Sequence, residues 1–254
     1  MISEDFYTMT NFASQFTESK IEKGPLSGAR IFVAPFPSPG VVSVVGSVAG
    51  GERAADVLHV SRELSSVHAA MLMEGTRNKK KRDIQLALDA LGAELSFGAS
   101  ADRLQFAARA SAHSVPKLLA LVAEMLAQPA FPARELAAFK ARSLAQLTLA
   151  AEDPRTQAGI LLARALYPTG HLNFAETIEE SRAALRAITA ADLCRYQAKT
   201  TSAGTLILAA TGDLDPKIFS REAQKQFSKL PRSSYQGSTF VNTEAGPLRQ
   251  RASK

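Results

Sequence analysis

Four histidines, His59, His68, His113 and His171, and a single cysteine, Cys194, are the side chains of this 254-residue chain best suited to hold a transition metal or to move a proton near neutral pH. A catalytic zinc site takes three protein ligands and leaves one position open for water. His59 and His68 are nine residues apart. At about 100° per residue, one helix carrying both would turn them to opposite faces, where they cannot share an ion. His59 and Glu63, four apart, can share a face, but two ligands fall short of three, and the pair reads as an ordinary helix-surface contact. His113 sits at a strand-to-helix junction and His171 in the irregular segment Pro168-Thr169-Gly170-His171, and both read as structural or solvent-exposed. Cys194 has neither a partner for a disulfide nor a neighbour at zinc-ligand spacing, and it reads as a small buried hydrophobe. A G-x-S-x-G elbow, a phosphate-binding glycine loop and a Cys-x-x-Cys pair are all absent. These residues by themselves predict no metal, no cofactor and no catalytic constellation.

The elements that carry these residues follow from periodicity and breakers. Ala29 to Pro35 and Val41 to Gly50 are β-branched apolar runs separated by Pro35, Pro37, Pro39 and Gly40, which predicts a hairpin-like strand pair. Helical spacing runs from Asp56 to Met73, and a second helix from about Lys79 to Leu91 is closed by Gly92. Ala93 to Ser100 and Asp102 to Ala110 alternate as antiparallel strands do. Long helices are then predicted over Val115 to Ala127, Pro132 to Ala151 and Thr156 to Leu166, with breaks at Pro129 and at Asp153-Pro154. A short helix near Glu179 to Ala187 leads to Thr189, a good N-cap for a helix to about Lys199. Thr205 to Thr211 reads as a buried strand, and Lys217 to Leu230 as a last amphipathic helix. Strands and helices fall in groups rather than in strict alternation, so the fold class is α+β, a mostly antiparallel sheet layered with helices. Residues 1–24 read as an N-terminal extension, 25–231 as one domain, and 232–254, rich in Ser, Thr, Gln and Gly, as a polar linker or tail.

Composition narrows the function classes. Apolar residues at 46% and charged residues at 21% exclude a wholly disordered chain. The longest apolar stretches, near Val41 to Ala49 and Leu118 to Ala127, fall far short of the roughly 20 residues of a membrane-spanning helix, so no membrane partner is expected. The polar start, Met1 to Lys20, lacks the pattern of a secretory signal, and with the single cysteine this points to the cytoplasm. The net charge of +6 includes the cluster Arg77, Lys79, Lys80, Lys81 and Arg82, which has no interleaved aromatic residue. It reads as a solvated loop and first helical turn rather than as a nucleic-acid site.

Several segments, taken in order, carry a family resemblance. Met71-Leu72-Met73-Glu74-Gly75-Thr76 looks like the exit of a zinc-bearing helix, and Ile84 to Phe97 like a helix followed by a strand entered at L-G-A-E-L. Leu118 to Phe131 ends in M-L-x-x-P-x-F. Glu152-Asp153-Pro154, Ile188-Thr189 with Asp192-Leu193, and Gly212-Asp213-Leu214-Asp215-Pro216 follow at the expected spacing. From about Arg30 to Pro231 the chain resembles the first domain of the inverzincin metallopeptidases, the pitrilysin, insulinase and mitochondrial processing peptidase family. The resemblance implies that family's α+β domain, about half of a usual subunit.

Members of that family bind zinc through H-x-x-E-H on a helix and one distant glutamate. By the resemblance, the matching positions are Ser66, Ala69 and Ala70, with the distant ligand falling at Ala145 to Leu147, around Gln146. None of these carries an imidazole or a carboxylate. The resemblance therefore implies a non-catalytic, zinc-less domain, a structural or substrate-gripping partner of an active metallopeptidase subunit. Its expected partners are a homologous peptidase-family subunit or a second copy of itself, with a peptide as the substrate class. The competing readings are a zinc metalloendopeptidase with a displaced or incomplete site, and a self-associating binding domain.

Overall fold

A computed structural model describes residues 17–21, 26–58, 60–171, 173–233 and 235. Among these described residues six strands form one sheet: β1 (Thr17–Lys20), β2 (Arg30–Pro35), β3 (Val41–Ala49), β4 (Glu94–Ala99), β5 (Arg103–Ser111) and β6 (Ile207–Gly212), in the order β1-β2-β6-β3-β5-β4. The pairings are antiparallel except for β2 with β6, which run parallel. Strand alternation sorts the side chains. Ile31 and Val33, Val42, Val44 and Val48, Leu104, Phe106, Ala108 and Ala110, and Leu208 and Ala210 are buried on the helix-covered side. Val45, Ala107 and Thr211 stay exposed on the other side.

Nine α-helices among the described residues complete the layer: α1 (Gly51–Val57), α2 (Glu63–Met71), α3 (Lys81–Leu91), α4 (Val115–Ala127), α5 (Ala133–Glu152), α6 (Pro154–Leu166), α7 (Ile178–Ala187), α8 (Ala190–Thr200) and α9 (Pro216–Phe227). α2 packs on β4 and α8, α4 on α9, and α5 on α6 and α7. The α+β sheet-and-helix layering matches the expected fold class. None of these helices is long and apolar enough to cross a membrane.

Local chemistry explains most of the boundaries. Gly92 ends α3 in the left-handed conformation at φ 54°. Asp153 caps α6 by accepting from the Arg155 and Thr156 amides, and Thr189 opens α8 with a capping box closed by Asp192. In the segment after β6, Asp213 accepts from the Gly40 amide at 3.1 Å, and Asp215 caps α9 by accepting from Ile218 at 2.8 Å. The two carboxylates of Gly212-Asp213-Leu214-Asp215-Pro216 are thus spent on a loop tie and a helix start. Glycine is required at position 51, where φ is +75° and an added Cβ would lie 2.3 Å from the Ser100 carbonyl oxygen.

Three expectations need correction. β2 and β3 are not a hairpin, because β6 lies between them and bonds to both. Residues 36–40 bridge the extra strand spacing, with the Phe36 amide donating to the Gly212 carbonyl. The helical run expected from Asp56 to Met73 is two helices. Ser61 ends the continuity by accepting the Glu63 amide at 3.2 Å on its hydroxyl, while its carbonyl takes the Leu64 amide. Finally, within the expected extension 1–24, Thr17–Lys20 is a strand of the sheet, paired with Arg30 to Val33. At the other end, the start of the expected tail is tied down as well: the Ser233 amide donates to Ser202 Oγ at 3.2 Å, and Tyr235 packs against the core.

Candidate functional site

α2 is the helix on which sequence matching places the chemistry. Leu64, Val67, His68 and Met71, spaced 0, 3, 4 and 7, form its buried stripe. Ser66 is exposed, Ala70 half-buried and Ala69 buried. Ser66 and Ala70, four residues apart, therefore have the spacing that lets two ligands share one face, but an alanine has no donor atom and a neutral serine hydroxyl is a poor zinc ligand beside thiolate, imidazole or carboxylate. On α5, Gln146 and Ala145 are exposed and Leu147 packs against the core. An amide there supplies no carboxylate. Zinc does not fit this residue set, and among the described residues no three His, Cys, Asp or Glu side chains come together in a metal-binding group.

The start of α2 is instead an ion-pair centre built around Arg62. Its guanidinium donates to both carboxylate oxygens of Asp56, at 2.8 and 2.9 Å, and to the His171 carbonyl at 3.1 Å. Glu52 and Glu176 face the same region. Burial raises the pKa of each, offset in part by Arg62, with Glu63 also raising that of Glu176. The arrangement joins α1, α2 and the segment before α7.

The histidines separate into distinct environments. His68 is 1% exposed, with its rings' neighbours Tyr196 and Phe131 at centroid distances of 5.1 and 5.5 Å. Gln197 donates its amide to the Leu126 carbonyl, so its oxygen accepts from His68 Nε2 at 2.6 Å, and His68 Nδ1 has no hydrogen-bond partner. Burial pushes its pKa down to about 4, the Gln197 bond opposing. This role was readable from the 0, 3, 4, 7 stripe, since His68 falls on its apolar face. His113 is exposed beside Ser111, and His171 stacks on Tyr167 at 4.5 Å while its Nδ1 accepts the Asn173 amide. His59 lies outside the described residues, so its pairing with Glu63 has no geometry here.

Cys194 is exposed, contrary to the expected buried role. α8 buries Leu193, Tyr196, Gln197 and Thr200, and Cys194 falls one residue, about 100°, off that stripe. In the basic cluster, Arg77, Lys80 and Arg82 are exposed, whereas Lys79 pairs with Glu124 at 2.5 Å and Lys81 with Glu74 at 2.8 Å. Two of the five charges are thus used within the fold.

Residues 65–172 match the family model of the insulinase family, peptidase family M16. No curated protein matches the chain. Among solved structures, a peptidase M16 inactive domain from Pseudomonas fluorescens is similar at 24% identity and a TM-score of 0.74, over 86% of this chain and 51% of that one. The first half of the periplasmic protease PqqL from Escherichia coli is similar at 15% identity and a TM-score of 0.70, over 85% of this chain and 46% of that one. The ferredoxin protease FusC, solved in complex with Arabidopsis ferredoxin, is similar at 16% identity and a TM-score of 0.67, over 87% of this chain and 24% of that one. The chain spans about half the length of the first solved structures it matches.

Proposed function

We propose that the chain is a non-catalytic member of the insulinase family, peptidase family M16, whose model residues 65–172 match and whose domain fold the described residues share. In this reading it is a structural or substrate-gripping partner of an active metallopeptidase subunit. The observation that carries the proposal is the chemistry of the positions that the resemblance pairs with the zinc motif. Ser66, Ala69 and Ala70 on α2 and Gln146 on α5 lie inside the matched segment and offer neither an imidazole nor a carboxylate, where by the resemblance a working member has two of each. In this reading Ala69, in the place of the motif's glutamate, has no carboxylate with which to activate a water for attack on a peptide bond. The similarity to a peptidase M16 inactive domain supports the same reading.

A retained but inactive M16 domain is useful where a peptide must be held against a separate zinc site. The test is to co-express this chain with an M16 chain that carries intact H-x-x-E-H and to follow hydrolysis of an unstructured peptide. The expected outcome is a stable complex whose kcat/KM exceeds that of the catalytic chain alone by about tenfold or more, equivalent to about 1.4 kcal/mol of transition-state stabilisation. Absence of both complex and stimulation would contradict the partner role. Hydrolysis by the isolated chain would favour the displaced-site endopeptidase instead.

A further inference from the structure

A groove of about 610 Å³ runs between α3 and α4. Small and apolar side chains line it, Ala87, Ala90 and Leu91 from α3 and Ala120, Ala123 and Ala127 from α4. Along α4 it extends from Lys117 to Gln128, which at 1.5 Å per residue is about 16 Å, or three helical turns. An alanine side chain ends at Cβ, so the trough stays open and a third helix can come close to the two backbones.

The charge of the groove is one-sided. Lys79, Lys117 and Lys229 line it against a single carboxylate, Glu124, which is taken within the fold by Lys79 at 2.5 Å and by the Thr76 hydroxyl at 2.7 Å. Lys117 is exposed and makes no hydrogen bond or ion pair among the described residues, and Lys229 reaches only the Gln226 amide oxygen, at 3.0 Å. Back along α9 the positive charge continues through Lys225, Arg221 and Lys217 at four-residue spacing, all exposed and opposed within that helix by Glu222 alone. Two lysines thus stand at the edge of an apolar trough with no carboxylate of their own.

We infer that this groove docks an acidic amphipathic helix of another protein, with its apolar face on the alanine lining and its carboxylates on Lys117 and Lys229. The apolar lining calls for a ligand with an apolar side, and the unpaired lysines call for negative charge beside it. A length of three turns fits a helix, on which carboxylates four residues apart lie about 6 Å from one another. A nucleic acid is a poorer match, because no aromatic side chain lines the groove to stack a base. A bilayer surface is a poorer match too, because the apolar side chains line a recess rather than project from the surface. The exposed row on α9 adds long-range attraction for the same kind of partner, which salt screens. The inference does not rest on the partner role above, since neither the α2 positions nor Gln146 line the groove.

The test is fluorescence anisotropy of the full chain with a labelled, acetylated peptide of about 16 residues, about 24 Å long as a helix. The probe has leucines at helical spacing and glutamates on both flanks, and its companion has every glutamate replaced by glutamine. The expected result is micromolar binding of the acidic probe that weakens about tenfold or more for the glutamine companion and on raising salt. The double variant Lys117→Glu, Lys229→Glu loses the binding to the same extent, and Ala90→Trp, at an exposed position inside the groove, loses it without a change of charge. Arg142→Glu with Arg155→Glu, an equal change of charge at exposed positions on α5 and α6, keeps it within about twofold at moderate salt. No binding of the acidic probe overturns the inference, as does equal binding of the two probes or binding that the groove variants leave intact. A single-stranded RNA or phosphatidylserine vesicles bound as tightly as the peptide, and lost in the same double variant, overturn it by assigning the basic band to phosphate. A dimer of the chain that the double variant dissolves overturns it too, because the occupant is then a second copy.

Discussion

Truncating Phe227 to alanine is expected to destabilise the chain by about 3–5 kcal/mol, because it removes a fully buried ring from the contact between α9 and the sheet. Phe227 is 0% exposed and stacks on Phe106 at 6.2 Å, with an interplanar angle of 17°. Phe106 in turn meets Phe97 at 6.0 Å and lies over Gly46, where an added Cβ would come within 2.2 Å of the Phe106 ring. This packing fixes Phe106 from below, so the site cannot collapse onto the missing ring without moving a central strand. For a domain of this size the loss corresponds to a fall in thermal midpoint of about 10 °C. Ile218→Ala, on the exposed side of the same helix, serves as the control and is expected to change stability by no more than about 0.5 kcal/mol. Equal effects of the two substitutions in urea denaturation would mean that α9 is not seated on the sheet as described.

Acid is expected to destabilise the fold through His68 in a defined window. Its pKa is about 4 in the folded chain against an ordinary value of 6.5, because burial excludes the charged imidazolium. The unfolded chain thus takes up a proton near pH 6.5 that the folded chain refuses until about pH 4. The folded state holds fewer protons across that interval, so stability falls as pH falls, by about 1.4 kcal/mol per unit and about 3 kcal/mol in total. Above pH 6.5 the contribution is complete, and below about pH 4 it is gone. His68→Phe keeps the ring contacts with Tyr196 and Phe131, while the Gln197 oxygen keeps the Thr201 hydroxyl, which donates to it at 3.0 Å. The difference in unfolding free energy between wild type and variant should therefore grow by about 3 kcal/mol from pH 4 to pH 7, whatever the surface carboxylates contribute to both. A constant difference would show that His68 titrates normally and is not sealed in the core.

Features decided by neighbouring residues were legible in the sequence, and features decided across the fold were not. Gly92, Asp153, Thr189 and Asp215 each close or open a helix through bonds to residues a few positions away, and the helices they bound appear close to where periodicity placed them. The insertion of β6 between β2 and β3 depends on a pairing that spans some 170 residues, for which the proline-rich link at 36–40 gave only a local, hairpin-like cue. Ser61 was a readable helix start, overlooked because the apolar spacing continues across it. Cys194 was misassigned by residue type alone, although Leu193, Tyr196, Gln197 and Thr200 already define the buried stripe of its helix. For the candidate site, identity at Ser66, Ala69, Ala70 and Gln146 was evident from the chain, whereas the Arg62 clamp and the buried His68–Gln197 contact needed the tertiary structure.

The most direct test of the non-catalytic reading is the zinc content of the purified chain, measured by elemental analysis after equilibration with dilute zinc and removal of the free ion. With serine and alanine at the helical ligand positions and an amide on α5, the expected result is no stoichiometric zinc, far below one ion per chain. About one zinc per chain, released by a chelator, would contradict the account and show that other residues supply a metal site.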